Sequence, residues 1–166
     1  MFESYDLKII HNPEFLSVDT AEEDFHNQDH IVIGGNSKWV KKLVKFYKEL
    51  YLDADFSLCS AKESESMKMM ANTFYAIKIQ TFSEYFLYCE QEGLDFEKVK
   101  LMILKNGFIS PMHTNVPGMD GNISYGGTCL PKDSQALLHH FMKKHVPCSV
   151  INGCVTERNS IRQDWI

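Results

Sequence analysis

The chain has 166 residues, enough for one domain or for one domain with part of another, and it can bury a real hydrophobic core. Its 44% hydrophobic and 23% charged residues are typical of a globular protein, and its net charge of −5 gives no reason to expect binding to nucleic acids or anionic lipid. No apolar stretch approaches the roughly 18 residues of a membrane-spanning helix, and the first residues are acidic where a signal peptide is basic, so we expect a cytoplasmic protein.

The five cysteines are odd in number, widely spread and without a C-x-x-C pair. A chain of this size needs no disulfide staples, so we expect free thiols in a reducing compartment. His139 and His140 are adjacent and would point in different directions on a helix, so they form no ligand pair. We therefore expect no structural metal site.

Residues 1–60 show the pattern of an α/β segment. Three short apolar runs predict β-strands, at residues 7–10, 30–35 and 55–60. Between the first two, the stretch TAEEDF allows at most a short helical turn. Apolar residues at three- and four-residue spacing then predict an amphipathic helix, with Ser37 as its expected N-cap. Three strands are few for a stable sheet, so the segment looks like part of a larger one.

After residue 60 the pattern is helical throughout. Four helices are predicted, at residues 63–92, 95–107, 132–145 and from 149 onward. Ser60 and Glu63 fit a capping box at the start of the first helix, which is long enough to need packing partners along its whole length. Residues 108–127 form a glycine- and proline-rich loop, and loops that long are usually functional or disordered. We expect a mixed, mainly α fold: a partial α/β segment followed by a helical domain with one long central helix.

Cys129 is the residue whose surroundings favour chemistry most strongly. It lies in YGGTCLPKD at the expected start of the third helix, where unpaired backbone N–H groups and the helix dipole favour an anion such as a thiolate. Gly126 lets the backbone approach a ligand closely, and Lys132 adds positive charge. The alternative is a buried structural cysteine after a tight turn.

Two further sites carry weaker signals. Lys68 and Asn72 are four residues apart in the long helix, so they project from one face, where a cation and an amide can stabilise a developing oxyanion. A solvated helix face is the alternative. Glu14 follows Asn-Pro at a strand end, a position where α/β proteins often contact ligands, although an exposed loop glutamate is the simpler interpretation.

Three stretches resemble the UDP-glucose/GDP-mannose dehydrogenase family. NPEFLSVDTAEEDFHNQDHIVIGG resembles the family's Asn-Pro-Glu-Phe-Leu segment with the strand that follows it, and ESESMKMMANTFYAIKIQTFSEYFLYCE resembles its central helix with a Lys-x-x-x-Asn pair. YGGTCLPKD is similar to its catalytic loop. Members use NAD to oxidise a sugar-nucleotide alcohol to the carboxylate in two hydride transfers. The resemblance therefore implies the core of a nucleotide-sugar 6-dehydrogenase that acts on UDP-glucose or a related sugar nucleotide.

The resemblance implies a role for each residue of these motifs. Cys129 would be the nucleophile that forms a thioester, and Lys68 would stabilise the oxyanions. Asn72 and Asp133 would position the reacting oxygen or water, and Glu14 would serve in acid/base transfer. The remaining expected contacts, to the sugar nucleotide and, for the last residue, to the cofactor, are Phe15, Leu16, Tyr125, Gly126 and Lys132.

The chain departs from the family pattern where the cofactor binds. No G-x-G-x-x-G segment is present, and Val18 stands where members usually carry a glutamate that contacts the nicotinamide end of the cofactor. We therefore expect residues 1–60 to be a remnant of the end of the dinucleotide-binding domain, and residues 61–166 to be the central dimerisation and catalytic domain. A C-terminal nucleotide-binding domain is not expected.

These departures leave more than one functional hypothesis open. The first is a homodimeric catalytic core, inactive alone, that works with a separate NAD-binding polypeptide. The second is a non-catalytic dimerisation or sugar-nucleotide-binding module derived from the family. A cysteine hydrolase that pairs Cys129 with one of the histidines has no motif to support it.

Overall fold

The computed structural model of the chain describes residues 8–16, 20–162 and 164. The strands are β1 (Ile10–His11), β2 (His30–Gly35) and β3 (Asp55–Cys59). The helices are α1 (Ala21–His26), α2 (Ser37–Tyr47), α3 (Ala61–Glu92), α4 (Phe96–Leu104), α5 (Leu130–Lys143) and α6 (Ser149–Ile161). The predicted mixed, mainly α fold with one long helix is therefore confirmed. Two compact units divide the chain, Met1–Lys68 and Met69–Ile166, while the predicted domain boundary after residue 60 stays a prediction.

The first unit is built around β2, the central strand of a three-stranded sheet. β2 runs antiparallel to β1 and parallel to β3. Parallel neighbours need a crossover connection, and α2 supplies it. Ile31 and Ile33 of β2 are buried with Val40 of α2 and with Tyr51 in a small core. β1 begins at Ile10, later than predicted, and Leu7 lies outside the described residues.

Side-chain hydrogen bonds cap the first turns of α2 and α3. The prediction that Ser37 caps α2 is wrong: Asn36 is the N-cap, and its side-chain oxygen accepts from the Lys38 backbone N–H at 3.1 Å. Asparagine caps helices as well as serine does, so the pattern alone placed the cap one residue too late. The capping box is confirmed, since the Ser60 N–H donates to Glu63 Oε2 at 2.8 Å and the Glu63 N–H donates to Ser60 Oγ at 3.2 Å.

Gly34, near the end of β2, lies against the start of α3. A Cβ atom at this position would be 2.5 Å from Ser64 Cβ and 2.7 Å from the Ser60 carbonyl oxygen. Neither atom is the mobile end of a long side chain, so the backbone would have to shift. We expect Gly34→Ala to lower the free energy of unfolding by roughly 1–3 kcal/mol, as overpacking does elsewhere.

Gly153, inside α6, provides the matched control. A Cβ there would meet no atom within 4 Å. Gly153→Ala is therefore expected to raise the free energy of unfolding by roughly 0.5–1 kcal/mol, because alanine restricts the unfolded chain and favours helix. Urea denaturation of both variants measures the two effects. A Gly34→Ala variant as stable as the parent chain would contradict the packing described for Gly34.

The second unit packs along α3 in two apolar clusters. One cluster joins Phe82 and Cys89 of α3 to Phe96 of α4 and to Val116 of the long loop. The other joins Ala76 to Tyr125 and to Cys154 of α6. One side of α3 between Ala76 and Cys89 thus has packing partners within the chain. Within residues 8–16, 20–162 and 164, no helix is both long and apolar enough to cross a membrane.

Candidate active site

Cys129 is the N-cap residue of α5, and its thiol is exposed. Its side chain makes no capping hydrogen bond, and Sγ lies 3.7 Å from Thr128 Oγ1. Pro131 stands in the first turn, where a missing N–H costs nothing because the first amides of a helix have no helical partner. The alternative of a buried structural cysteine is therefore wrong, and the thiol is open to a reagent.

Asp133 lies one turn into α5, and its carboxylate is bonded on both sides. Oδ2 accepts from Asn72 Nδ2 at 2.6 Å, and Oδ1 accepts from Lys132 Nζ at 2.6 Å. The Asp133 backbone N–H also donates to the Cys129 carbonyl at 2.9 Å. Asn72 is only 5% exposed, so the solvated-face alternative is wrong for this residue. The structure thus brings Asn72 of α3 to Lys132 and Asp133, in the first turn of the helix that Cys129 begins.

Lys132 keeps a positive charge near the thiol. Its hydrogen bond to Asp133 raises the pKa of the ammonium, and this effect exceeds the lowering by burial. The negative charges of Asp133 and of a Cys129 thiolate add smaller increases to the pKa. The lysine side chain is mostly exposed, so its pairing with Asp133 contributes little to stability. Its main consequence is electrostatic: an anion at Cys129 finds a cation on the same helical turn.

Lys68, in the first unit, lies with the segment that follows β1. Its Nζ donates to the Glu14 carbonyl oxygen and lies 4.5 Å from the centre of the Phe15 ring. The exposed Glu14 carboxylate accepts from the Leu16 backbone N–H at 2.9 Å. The structure therefore brings together Glu14, Phe15, Leu16 and Lys68. Glu14 has the exposure expected of a loop glutamate, and its catalytic role stays a prediction.

The Asn-Pro pair does more than end a strand, which is all that the sequence pattern indicated. Asn12 Nδ2 donates to the Val32 carbonyl at 2.9 Å, and the Tyr47 hydroxyl donates to Asn12 Oδ1 at 2.9 Å. His11 Nδ1 lies 2.8 Å from Ser64 Oγ. These bonds join the segment before Glu14 to β2, α2 and the start of α3, and thereby fix where that segment leaves the sheet.

The glycine loop differs from its expected arrangement. Gly126 was expected to leave room for a ligand, but the Arg162 guanidinium occupies the space that a Cβ on Gly126 would take. Tyr125 is a core residue whose hydroxyl lies 3.4 Å from Ser134 Oγ, and burial raises its pKa to about 12. Contacts from either residue to a sugar nucleotide stay predictions. The local pattern missed Arg162 because its partners in the loop, Ser124 and Asp120, lie 38 and 42 residues away in sequence.

Cys154 of α6 is buried beside Tyr125, and burial raises the pKa of its thiol to about 11 from an ordinary value of 9.0. A thiol whose folded pKa is raised stabilises the fold below pH 9 and loses that contribution as the pH approaches 11. We expect the free energy of unfolding to fall by up to about 2 kcal/mol over this range. The Cys154→Ala variant should be less stable at pH 8 but should lose less stability between pH 9 and pH 11, as measured by urea denaturation. Equal losses in both proteins would contradict the assignment.

The turn between β2 and α2 does not fit the pyrophosphate of a dinucleotide. Binding of its pyrophosphate needs a glycine-rich turn between a strand and a helix. β2 does end in two glycines before α2, but Gly34 packs on the start of α3, and a Cβ on Gly35 would lie 3.3 Å from the Ile9 carbonyl. No group of three metal-ligating side chains occurs in the described part of the chain either. The departure at Val18 lies outside the described residues.

Comparison with models of known protein families shows which family the chain belongs to. The model of the UDP-glucose/GDP-mannose dehydrogenase family central domain matches residues 62–160, and that of the family's NAD binding domain matches residues 2–55. The chain belongs to the UDP-glucose/GDP-mannose dehydrogenase family. The match to the NAD binding domain associates residues 2–55 with NAD by family. Among the described residues, the turn after β2 is not a pyrophosphate-binding turn.

Individual members of the family are similar over most of this chain. The UDP-glucose 6-dehydrogenase of Rhizobium meliloti is 31% identical over 155 residues, which cover 90% of this chain and 34% of that protein. The Campylobacter jejuni enzyme of the same name is 30% identical over 164 residues, covering 95% and 39%. A UDP-glucose dehydrogenase structure from Pyrobaculum islandicum has a TM-score of 0.80 at 28% identity, covering 92% of this chain and 34% of that one. The chain thus spans little more than about a third of the length of these relatives.

Proposed function

We propose that this chain supplies the thiol and oxyanion chemistry of a nucleotide-sugar 6-dehydrogenase that converts UDP-glucose or a related sugar nucleotide to the uronic acid. The observation that carries the proposal is the exposed Cys129 thiol at the start of α5, followed one turn later by a carboxylate that Asn72 and Lys132 hold in place. The family match over residues 62–160 and relatives named UDP-glucose 6-dehydrogenase support the choice of reaction.

The covalent steps belong to Cys129. Its thiolate adds to the C6 aldehyde of the sugar: a C–S bond forms, and the π electron pair of the carbonyl moves to oxygen to give the oxyanion of a thiohemiacetal. NAD, which the family uses, would accept the two hydrides that are lost when the C6 alcohol becomes the aldehyde and when the thiohemiacetal becomes a thioester. No described residue of this chain is assigned to that transfer. Water then attacks the thioester carbonyl, the C–S bond breaks, its electron pair returns to sulfur, and the carboxylate leaves.

The other motif residues assist these steps in the proposal. Asn72 and Asp133 orient the reacting oxygen or the hydrolytic water, which their buried hydrogen bond supports because it fixes both side chains. Lys68 stabilises the oxyanions, and Glu14 takes up the proton of the attacking water. The proposed contacts to the sugar nucleotide are the backbones of Phe15, Leu16, Tyr125 and Gly126.

We also propose that two copies of the chain form a homodimer through α3. Met70, Phe74, Tyr85 and Tyr88 recur at a spacing that keeps them on one face of the helix. Phe74 is 63% exposed and Tyr88 59%, so this apolar face is open in the single chain. Light scattering should give twice the mass of one chain.

Five free thiols support a reducing, cytoplasmic location.

A reconstitution assay tests the enzymatic proposal. The chain is mixed with UDP-glucose and NAD, alone and together with a separately produced NAD-binding polypeptide, while NADH is followed by absorbance and uronic acid by mass spectrometry. We expect two NADH per uronic acid, and turnover only when the NAD-binding polypeptide is present. GDP-mannose serves as the control substrate.

Binding without turnover would have a different meaning. If calorimetry shows that the chain binds UDP-glucose but no NAD-binding partner yields uronic acid, the enzymatic proposal is overturned. The non-catalytic sugar-nucleotide-binding module would then be favoured. A chain that neither binds the sugar nucleotide nor dimerises would exclude that alternative as well.

A further inference from the structure

Ser124, which precedes the Tyr-Gly-Gly turn, is buried and adopts a left-handed backbone conformation with φ of 67°. Residues with a side chain rarely adopt this conformation unless their surroundings impose it. Each polar group of Ser124 is bonded across the fold. Its N–H donates to Ser83 Oγ at 3.0 Å, its hydroxyl donates to Gln80 Oε1 at 2.5 Å, and its carbonyl accepts from Arg162 Nη1 at 3.0 Å.

Arg162, just after α6, contacts the same loop at three places. Besides the Ser124 carbonyl, its guanidinium bonds Asp120 Oδ2 at 2.6 Å and fills the space beside Gly126. The arginine side chain is only 8% exposed, and its bond to Asp120 lowers the pKa of that carboxyl. Asp164 Oδ2 is a further acceptor and lies 2.7 Å from Arg162 Nη2. One planar cation thus connects three points of a loop that has no secondary structure of its own.

Arg158, one helical turn earlier, bonds the next carbonyl of the loop. Its Nε donates to the Tyr125 oxygen at 3.2 Å, and its guanidinium also pairs with Asp164. Two consecutive carbonyls, those of Ser124 and Tyr125, are therefore held by two arginines of the same chain segment. Past them the backbone makes only the turn at Gly126 and Gly127, the latter with φ of 75°, before it reaches Cys129.

From these contacts we infer that Arg162 is a positioning residue for Cys129: it holds the loop between Asp120 and Gly126 in the conformation that presents the thiol to the substrate carbonyl. The inference rests on the proposed function, since it assigns Arg162 to the chemistry of that thiol. A guanidinium donates to several acceptors in a fixed planar geometry, whereas a lysine ammonium is a point charge on a flexible stem. The geometry of the guanidinium, rather than its charge, should therefore hold the loop. We expect Arg162→Lys to keep the charge but to lose the positioning of Cys129.

The test compares two reactions of the same thiol. Addition to a sugar-nucleotide C6 aldehyde labelled with ¹³C, followed by NMR, needs Cys129 to be correctly placed. Alkylation of Cys129 by iodoacetamide, followed by peptide mass spectrometry, needs only an accessible thiol. In Arg162→Lys we expect the equilibrium constant for adduct formation to fall at least about tenfold while the alkylation rate stays within about twofold of the parent chain. Lys144→Met, which removes an exposed charge after α5, is the matched control and should change neither.

The outcomes distinguish failure of the proposed function from failure of the positioning role of Arg162. A parent chain that forms no aldehyde adduct would overturn the proposed function, whereas equal adduct formation in parent and Arg162→Lys would overturn only the positioning role. Loss of the adduct together with loss of the folded state, followed by circular dichroism, would mean that Arg162→Lys fails to fold. Asp120→Ala then decides, because it removes one acceptor through which Arg162 holds the loop and leaves the arginine in place. An unchanged adduct in Asp120→Ala would also overturn the inference.

Discussion

Cys129→Ser is expected to abolish the aldehyde adduct and, in the reconstituted reaction, to lower uronic acid formation on the order of 10³-fold or more. A serine hydroxyl at this position remains neutral and is a far weaker nucleophile than a thiolate. The side chain is exposed and makes no capping bond, so the free energy of unfolding should change by less than about 0.5 kcal/mol. Adduct formation is measured by ¹³C NMR, and stability is measured by urea denaturation.

Cys148→Ser is the matched control for this experiment. Cys148 is also the N-cap residue of a helix, α6, and also makes no capping hydrogen bond. It lacks the preceding glycine pair and the Asp133 that is held one turn later. We expect Cys148→Ser to form the adduct as the parent chain does. If the adduct persists in Cys129→Ser and disappears in Cys148→Ser, the wrong helix start has been assigned to the chemistry.

Asp133→Ala should cause the largest loss of stability, roughly 2–4 kcal/mol. The substitution leaves the buried Asn72 amide without its acceptor and removes the partner of Lys132. The isosteric Asp133→Asn keeps an oxygen that can accept from Asn72, so its cost should be smaller. Lys132→Met should cost less than about 1 kcal/mol, because the lysine is mostly exposed.

A double-mutant cycle with Asn72→Ala identifies the source of that loss. Neighbouring residues that share a buried bond show coupled effects, whereas independent residues show additive ones. We expect the double variant Asn72→Ala/Asp133→Ala to be much less destabilised than the sum of the single variants. Additive losses in urea denaturation would show that the bond between the two side chains contributes nothing, and that Asp133 is needed for packing alone.

The sequence by itself determined the local features of this protein. A short β-branched run ended by glycines located β2, and apolar residues at three- and four-residue spacing located α2 and α3. The box of Ser60 and Glu63 was predictable because its bonds lie within three residues. The order of the three motifs also placed the chain in its family before any contact was known. The α2 cap, Asn36 rather than Ser37, shows the limit of such patterns at an element end, where neighbouring polar residues are equally suited.

Only the tertiary structure decided which of the motif residues meet and what holds them. Asn72 and Asp133 are 61 residues apart in the chain, and Arg162 and Ser124 are 38 apart, so no local period records either bond. Both bonds depend on how α3, α5 and α6 pack, and that packing is driven by apolar burial that many sequences could satisfy. The exposure of Cys129 and the filling of the space beside Gly126 follow from the same packing, because a residue's surroundings are made by segments distant in sequence.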